Sequence, residues 1–205
     1  FTKRLEVTGV KVHLGKRVTR EELLAQGFDH IIVATGISPR TPRIEGIDHP
    51  KVMSYLDVLL HKKPVGKKVA IIGAGGIGFD VAEYLLHDPA TPLPLPLSTW
   101  LGEWGIDLQA KQNGGLIKPE DAHPIRDIYL LQRKASKVGA GLGKTSGWVH
   151  RATLQRNKVH MLAGVDYQKI DDQGLHISVG GKTQVLDVDH IILCAGQESL
   201  TELMP

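Results

Sequence analysis

The chain has 205 residues, enough for one domain or one and a half, and its 41% hydrophobic and 23% charged content is that of an ordinary globular protein rather than a disordered one. A single cysteine, Cys194, excludes an internal disulfide, a CxxC redox pair, an iron–sulfur cluster or an all-cysteine zinc site built from these residues alone. It suits a reducing, cytoplasmic setting, although one thiol is also compatible with secretion. The net charge of +3, from 25 basic against 22 acidic residues, does not point to nucleic acid. No apolar run approaches the roughly 18–20 residues of a membrane span.

The chain starts with Phe1-Thr2-Lys3-Arg4-Leu5-Glu6, which is charged throughout and lacks an initiator Met, so the expectation is a cut segment without a leader. Asp29-His30-Ile31-Ile32-Val33-Ala34-Thr35-Gly36 recurs as Asp189-His190-Ile191-Ile192-Leu193-Cys194-Ala195-Gly196, with five of eight positions identical. Lys11-Val12-His13-Leu14 is echoed in the same way by Lys158-Val159-His160-Met161. Each apolar run is short and β-branched, as a buried parallel strand is, so the pattern predicts a structural duplication.

Between the copies, Lys68-Val69-Ala70-Ile71-Ile72 predicts a strand that runs into Gly73-Ala74-Gly75-Gly76-Ile77-Gly78. The following residues to Leu86 are apolar at 81, 82, 85 and 86, one face of a helix. From Asp88 to Asp127 the pattern breaks, with prolines at 89, 92, 94, 96, 119 and 124. Regular structure is not expected through most of this excursion, beyond a short amphipathic turn at Trp100–Trp104 that would peg it to the body. A strand resumes at Ile128–Leu131, a helix is expected over Ser146–Arg156 and a strand over Val159–Leu162. Val165–Ile170, Leu175–Val179 and Thr183–Val188 then predict a three-stranded meander, and Ile191–Cys194 a last buried strand.

A glycine pattern GxGxxG between a strand and a helix predicts dinucleotide binding. Gly73 permits the turn, Gly75 lets backbone approach a pyrophosphate, and Gly78 lets the helix pack closely on the strand. The helix amino terminus near Gly76 offers free N–H groups to phosphate. NAD-binding versions place Asp or Glu at the end of the second strand, to hold a ribose 2′-hydroxyl. Here that strand runs into Gln132-Arg133-Lys134-Ala135-Ser136-Lys137, with three cations and no carboxylate. A 2′-phosphate suits Arg133, Lys134 and Lys137, so the reading is NADP(H).

Ala34-Thr35-Gly36-Ile37-Ser38-Pro39-Arg40-Thr41-Pro42 resembles the ATG segment of two-dinucleotide-fold flavoprotein reductases, in which an NAD(P) domain is inserted into an FAD domain. Ser54–Leu59, Gly75–Asp80, Leu131–Lys137, Gly141–Arg151, Tyr167–Asp172 and Cys194–Glu198 resemble the carboxy-terminal region of bacterial NADPH-dependent 2,4-dienoyl-CoA reductases. The resemblance implies an α/β fold: a Rossmann-like, three-layer NADP(H)-binding domain over 46–196 with its proline-rich insertion at 88–127. Part of an FAD-binding domain would occupy 1–45, and 197–205 would return toward it. It also implies an NADPH-dependent oxidoreductase in unsaturated fatty-acid β-oxidation. NADPH would pass hydride to FAD, and electrons would continue through a 4Fe-4S cluster and FMN held elsewhere in the polypeptide. This segment would be the electron-entry module, inactive alone toward acyl-CoA and without a residue acting as acid or base. Gly73, Ala74, Gly75, Gly76, Ile77, Gly78, Arg133, Lys134 and Lys137 would hold NADPH. Val18, Ala34, Thr35 and Gly36 would border FAD.

An alternative remains open, an ADP-binding structural module of the trimethylamine-dehydrogenase kind. A thioredoxin-reductase-like enzyme is disfavoured by the missing CxxC. The ten histidines form no HxxxH or HExxH pair, so no zinc site is expected. His150 reads either as a nicotinamide neighbour or as a helix-surface residue, Asp80 as support for the first helical turn, and Cys194 as a small core residue.

Overall fold

In the computed structural model of the chain, residues 1–91 and 94–204 are described. Pro92, one of the prolines of the excursion, lies outside them. In chain order the elements are α1 (Thr2–Val7), α2 (Arg20–Ala25), β1 (Ile37–Pro39), β2 (Val52–Ser54), α3 (Tyr55–Leu59), β3 (Lys68–Ile72) and α4 (Gly76–Leu86). They continue with α5 (Leu97–Trp104), β4 (Asp127–Leu131), α6 (Gly147–Arg156), β5 (His160–Leu162), β6 (Val165–Asp171), β7 (Gly174–Val179), β8 (Lys182–Leu186), β9 (His190–Leu193) and β10 (Gln197–Ser199). Two compact units form, Phe1–Ser38 with the residues from Glu198 onward, and Pro39–Gln197. No described helix is long and apolar enough to cross a membrane.

In the smaller unit, α2 starts where a capping box dictates. The Glu22 N–H donates to Thr19 Oγ1 at 3.2 Å, and the Thr19 N–H donates to Glu22 Oε2 at 3.0 Å. The expected strand over Ile31–Ala34 is absent, as is one over Lys11–Leu14. Ile32 is 90% exposed and Leu14 88%. A strand exists through its hydrogen-bonded neighbours, and among the described residues neither run has one. The echoed copies at 158–161 and 189–196 differ because they have neighbours to pair with. The repeat is therefore one of sequence, and the structural duplication it predicts is not present in this chain.

The larger unit is a doubly covered parallel sheet of order β2-β9-β3-β4-β5, with β6-β7-β8 as a separate antiparallel meander. Register is set by period-two alternation. Val69 and Ile71 of β3, Ile128 and Leu130 of β4 and Ile192 of β9 join one core with Phe79, Val81, Ala82 and Leu85 of α4 and Leu154 of α6. Ala70, Ile72, Leu131, Ile191 and Leu193 turn the other way, onto Val165, Ile170, Leu175, Ile177 and Leu186 of the meander. Both faces of the sheet are buried, which is why its strands read as continuous apolar runs. The layers match the expected three-layer α/β fold.

Two polar devices anchor strands of this sheet. Asp189 accepts from the Lys67 and Lys68 N–H groups at 2.7 and 2.8 Å, tying the approach to β9 onto the start of β3. Those backbone donors hold its carboxyl below the usual carboxylate range. After the edge strand β2, Ser54 and Asp57 cap α3: the Asp57 N–H donates to Ser54 Oγ at 3.1 Å and the Ser54 N–H to Asp57 Oδ2 at 2.8 Å. Lys63 Nζ lies 2.6 Å from Asp57 Oδ1. The Lys63 ammonium, and then Ser54, bring the Asp57 carboxyl down to about 2. A carboxyl whose folded value is depressed stabilises the fold fully above about pH 4, and that stability is lost as pH falls toward 2. Asp57→Asn is therefore expected to cost about 1–2 kcal/mol at pH 7. Urea midpoints of variant and parent should converge between pH 4 and pH 2.5. A difference constant across that range would exclude this ion pair as its source.

The excursion between α4 and β4 is more ordered than its prolines predict. It contains helix α5, ended by Gly105 in a left-handed conformation at φ +67°. Trp100 does not peg it. Trp100 is 44% exposed and meets Trp104 with ring centroids 6.3 Å apart. A polar contact links the excursion to the body, with Arg156 Nη1 of α6 3.3 Å from Glu103 Oε2 of α5. An eight-residue helix buries too little apolar surface to dock by its aromatic face alone, and a partly buried Arg–carboxylate pair supplies direction.

Candidate functional site

The site is assembled at the carboxyl ends of the central strands. The connection after β3 crosses to β4 on one side, whereas β9 pairs with β3 on the other. That is the switch point at which open α/β sheets bind ligands. Gly73 leaves β3 there, and its N–H donates to Leu131 O of β4 at 2.9 Å. The Cys194 N–H donates to Ile72 O at 2.8 Å.

The glycines of the loop have separable duties. Gly73 adopts φ +113°, and a Cβ there would lie 2.2 Å from Cys194 O. A Cβ on Gly78 would lie 1.9 Å from Gly73 O and 3.4 Å from Leu130 Cδ1. Those two residues are glycine because backbone passes backbone. Around Gly75 and Gly76, by contrast, a Cβ would meet nothing within 4 Å. Gly75 is the N-cap of α4, with no side-chain cap, and no acidic residue occupies the first turn. The first helical bond runs from the Phe79 N–H to Gly75 O at 3.1 Å. The N–H groups ahead of Phe79 are the uncapped donors of a helix amino terminus, a setting that favours an anion.

Ala74 and Ile77 pack their side chains against the core beneath the helices. Both are half-buried. Asp80 is exposed and is the fifth residue of α4, so it does not support the first turn.

Beside this loop, Arg133, Lys134 and Lys137 follow β4, all exposed. Among the described residues none of the three makes an ion pair. The Gln132 N–H donates to Leu162 O, and Gly164 and Val165 donate to Lys134 O and Gln132 O, each at 3.0 Å. The cationic loop is thereby stitched to the connection between β5 and β6. Burial pushes the ionisation of the Tyr167 phenol up, and the Arg133 guanidinium opposes that shift. Tyr167, from β6, packs partly buried against the core between sheet and meander.

His150 is committed elsewhere, with Nδ1 2.8 Å from Glu83 Oε1 in a bridge between α6 and α4. Cys194 is buried, and burial alone pushes its thiol up to about 12, so it is no thiolate at neutral pH.

The smaller unit has its own cavity, of about 330 Å³, lined by Lys16, Arg17, Val18, Thr35, Leu200, Glu202 and Leu203. Thr35 Oγ1 donates to Leu200 O at 3.0 Å, and the Leu200 N–H donates to Gly36 O at 3.0 Å. The segment 34–36 is thus held against the chain's later residues, with Val18 and Thr35 in one wall. Ala34 and Gly36 are exposed beside it and do not line it.

Comparison with known proteins agrees with this architecture. Cinnamate reductase of Clostridium sporogenes is 27% identical over 199 residues, which cover 97% of this chain and 24% of that protein. Bilirubin reductase of Mediterraneibacter gnavus is 34% identical over 189 residues, covering 88% and 28%. The solved structure of 2-naphthoyl-CoA reductase with 2-naphthoyl-CoA aligns over 98% of this chain and 25% of its own, with a TM-score of 0.65 and 22% identity, which speaks to the fold. The chain thus spans about a quarter of the length of such relatives. Residues 1–204 match the model of the pyridine nucleotide-disulphide oxidoreductases, and the chain belongs to that family.

Proposed function

We propose that this chain is the NADPH-binding, electron-entry part of a larger flavoprotein reductase. The observation that carries the reading is the pairing of an uncapped helix amino terminus, open above Gly75, with the three cations that follow β4. Backbone N–H groups at Gly75–Gly78 would hold the pyrophosphate, and Arg133, Lys134 and Lys137 the 2′-phosphate. Val18 and Thr35 would border the nucleotide half of FAD in the cavity of the smaller unit. When bound, NADPH supplies a hydride that FAD accepts. The residues of this chain bind and orient, and none of them need move a proton.

At finer grain we read the parent protein as a 2,4-dienoyl-CoA reductase of fatty-acid β-oxidation, with FMN and a 4Fe-4S cluster in its other domains. The resemblances over Leu131–Lys137 and Gly141–Arg151 support this, as does a relative named for reducing cinnamate, itself a conjugated enoate.

The test is a titration of the chain with NADPH, NADH and ADP, followed by stopped-flow mixing of the full-length protein with NADPH. NADPH is expected to bind at least about 10-fold more tightly than NADH and to bleach the flavin absorbance. Tight ADP binding without flavin reduction would favour a structural nucleotide module instead. NADPH oxidation that depends on 2,4-dienoyl-CoA, rather than cinnamate, would fix the substrate.

A further inference from the structure

Gln132 opens the cationic loop, and its half-buried side chain turns back onto that loop. Its Nε2 donates to Lys134 O at 2.9 Å and to Ser136 O at 2.5 Å. Both partners are carbonyl oxygens, so only the NH2 end of the amide can face them. The loop from 132 to 136 is thereby folded around one side chain. Lys134 O also accepts the Gly164 N–H at 3.0 Å, which leaves that carbonyl doubly engaged.

The consequence is electrostatic as well as steric. Two carbonyl oxygens of the loop that carries Arg133, Lys134 and Lys137 are satisfied by this one side chain. The long cationic side chains leave a backbone whose shape is already set, so less ordering remains when an anion arrives. We propose that Gln132 is a positioning residue that pre-shapes the loop after β4 for the 2′-phosphate of NADPH. It acts through its neighbours rather than on the phosphate. The inference rests on the NADPH reading above.

Two substitutions test it in the full-length protein. Gln132→Met keeps the length and removes both donors, and Gln132→Glu places a carboxylate against two carbonyls. Binding of NADPH, NADH and 2′,5′-ADP would be measured by titration, alongside thermal melting and the kcat and KM of flavin-dependent ferricyanide reduction. Gln132→Met is expected to weaken NADPH and 2′,5′-ADP by about 5- to 20-fold, and Gln132→Glu more. NADH affinity should change less than twofold. KM for NADPH should rise while kcat holds, and the melting temperature should fall by only a few degrees.

A merely structural glutamine would lower the melting temperature and weaken both dinucleotides alike, which would overturn the proposal. So would unchanged 2′,5′-ADP binding in a folded Gln132→Met protein whose parent prefers NADPH. A parent protein that does not distinguish NADPH from NADH would instead sink the reading of the site, and this inference with it. Arg133→Ala, measured in parallel, tells the two failures apart.

Discussion

Gly78→Ala is expected to destabilise the larger unit by roughly 3 kcal/mol or more. For a chain of this size that lowers the melting temperature by about 6–12 °C. The added Cβ would stand 1.9 Å from Gly73 O, so α4 would have to move off the end of β3. Backbone cannot rotate away as a side chain can, and Phe79, Val81, Ala82 and Leu85 of α4 would follow it out of the core. Gly75→Ala is the matched control. Its backbone is extended, at φ −83° and ψ −172°, with nothing within 4 Å of the new methyl. Stability should stay within about 1 kcal/mol, since the weaker N-cap is offset by a stiffer unfolded chain. Nucleotide affinity should fall nonetheless, if a pyrophosphate occupies that open space. Thermal melts of the two variants decide the matter. A Gly78→Ala protein melting within 2 °C or so of its parent would show that the helix is free to retreat.

Arg133→Ala carries the largest expected effect on binding. An exposed guanidinium without an ion-pair partner has little to do for the fold, so the melting curve should hardly move. Loss of one or two charge-assisted bonds to a 2′-phosphate is worth roughly 1.5–3 kcal/mol. NADPH affinity should therefore fall about 10- to 100-fold, while NADH affinity stays nearly constant. The NADPH term should also weaken as salt is raised, because the cation is exposed and screened. Equal losses for both dinucleotides would overturn the assignment of this loop to the 2′-phosphate.

The larger unit was legible residue by residue wherever an element is buried on both faces. Lys68–Ile72, Ile128–Leu131 and Ile191–Cys194 read as apolar runs because the helices cover one side of each strand and the meander the other. The meander announced itself through turns at Asp172–Gly174 and Gly180–Gly181, both glycines of the second turn having positive φ. Shorter elements escaped notice. β2, three residues long, is an edge strand whose only sheet neighbour is β9, far along the chain. α3 and α2 were signalled only by Ser54-x-x-Asp57 and Thr19-x-x-Glu22, capping pairs that mark where a helix begins but not that it is long enough to matter.

The same limit explains two of the differences between pattern and fold. Ile31–Ala34 has the composition of β9 but lacks strands to pair with, and composition cannot report on a neighbour. Trp100 reads as an anchor because tryptophan is usually buried, yet it is exposed, and α5 is tied to the body by an arginine in α6 reaching Glu103 across 53 positions of sequence.

By itself the sequence determined the order of strand, glycine loop and helix, the cations after the second strand, and the absence of a redox cysteine pair from these residues. Each is written in adjacent positions, where spacing and residue type are enough. Only the tertiary structure decided which glycines are packing necessities and which face open space, because that depends on the Cys194 carbonyl, just past β9, lying against Gly73. It alone also turned Gln132 from a strand-end residue into the hub of its loop. Such facts live in distances between residues, and the fold sets those by satisfying backbone hydrogen bonds and filling two cores at once.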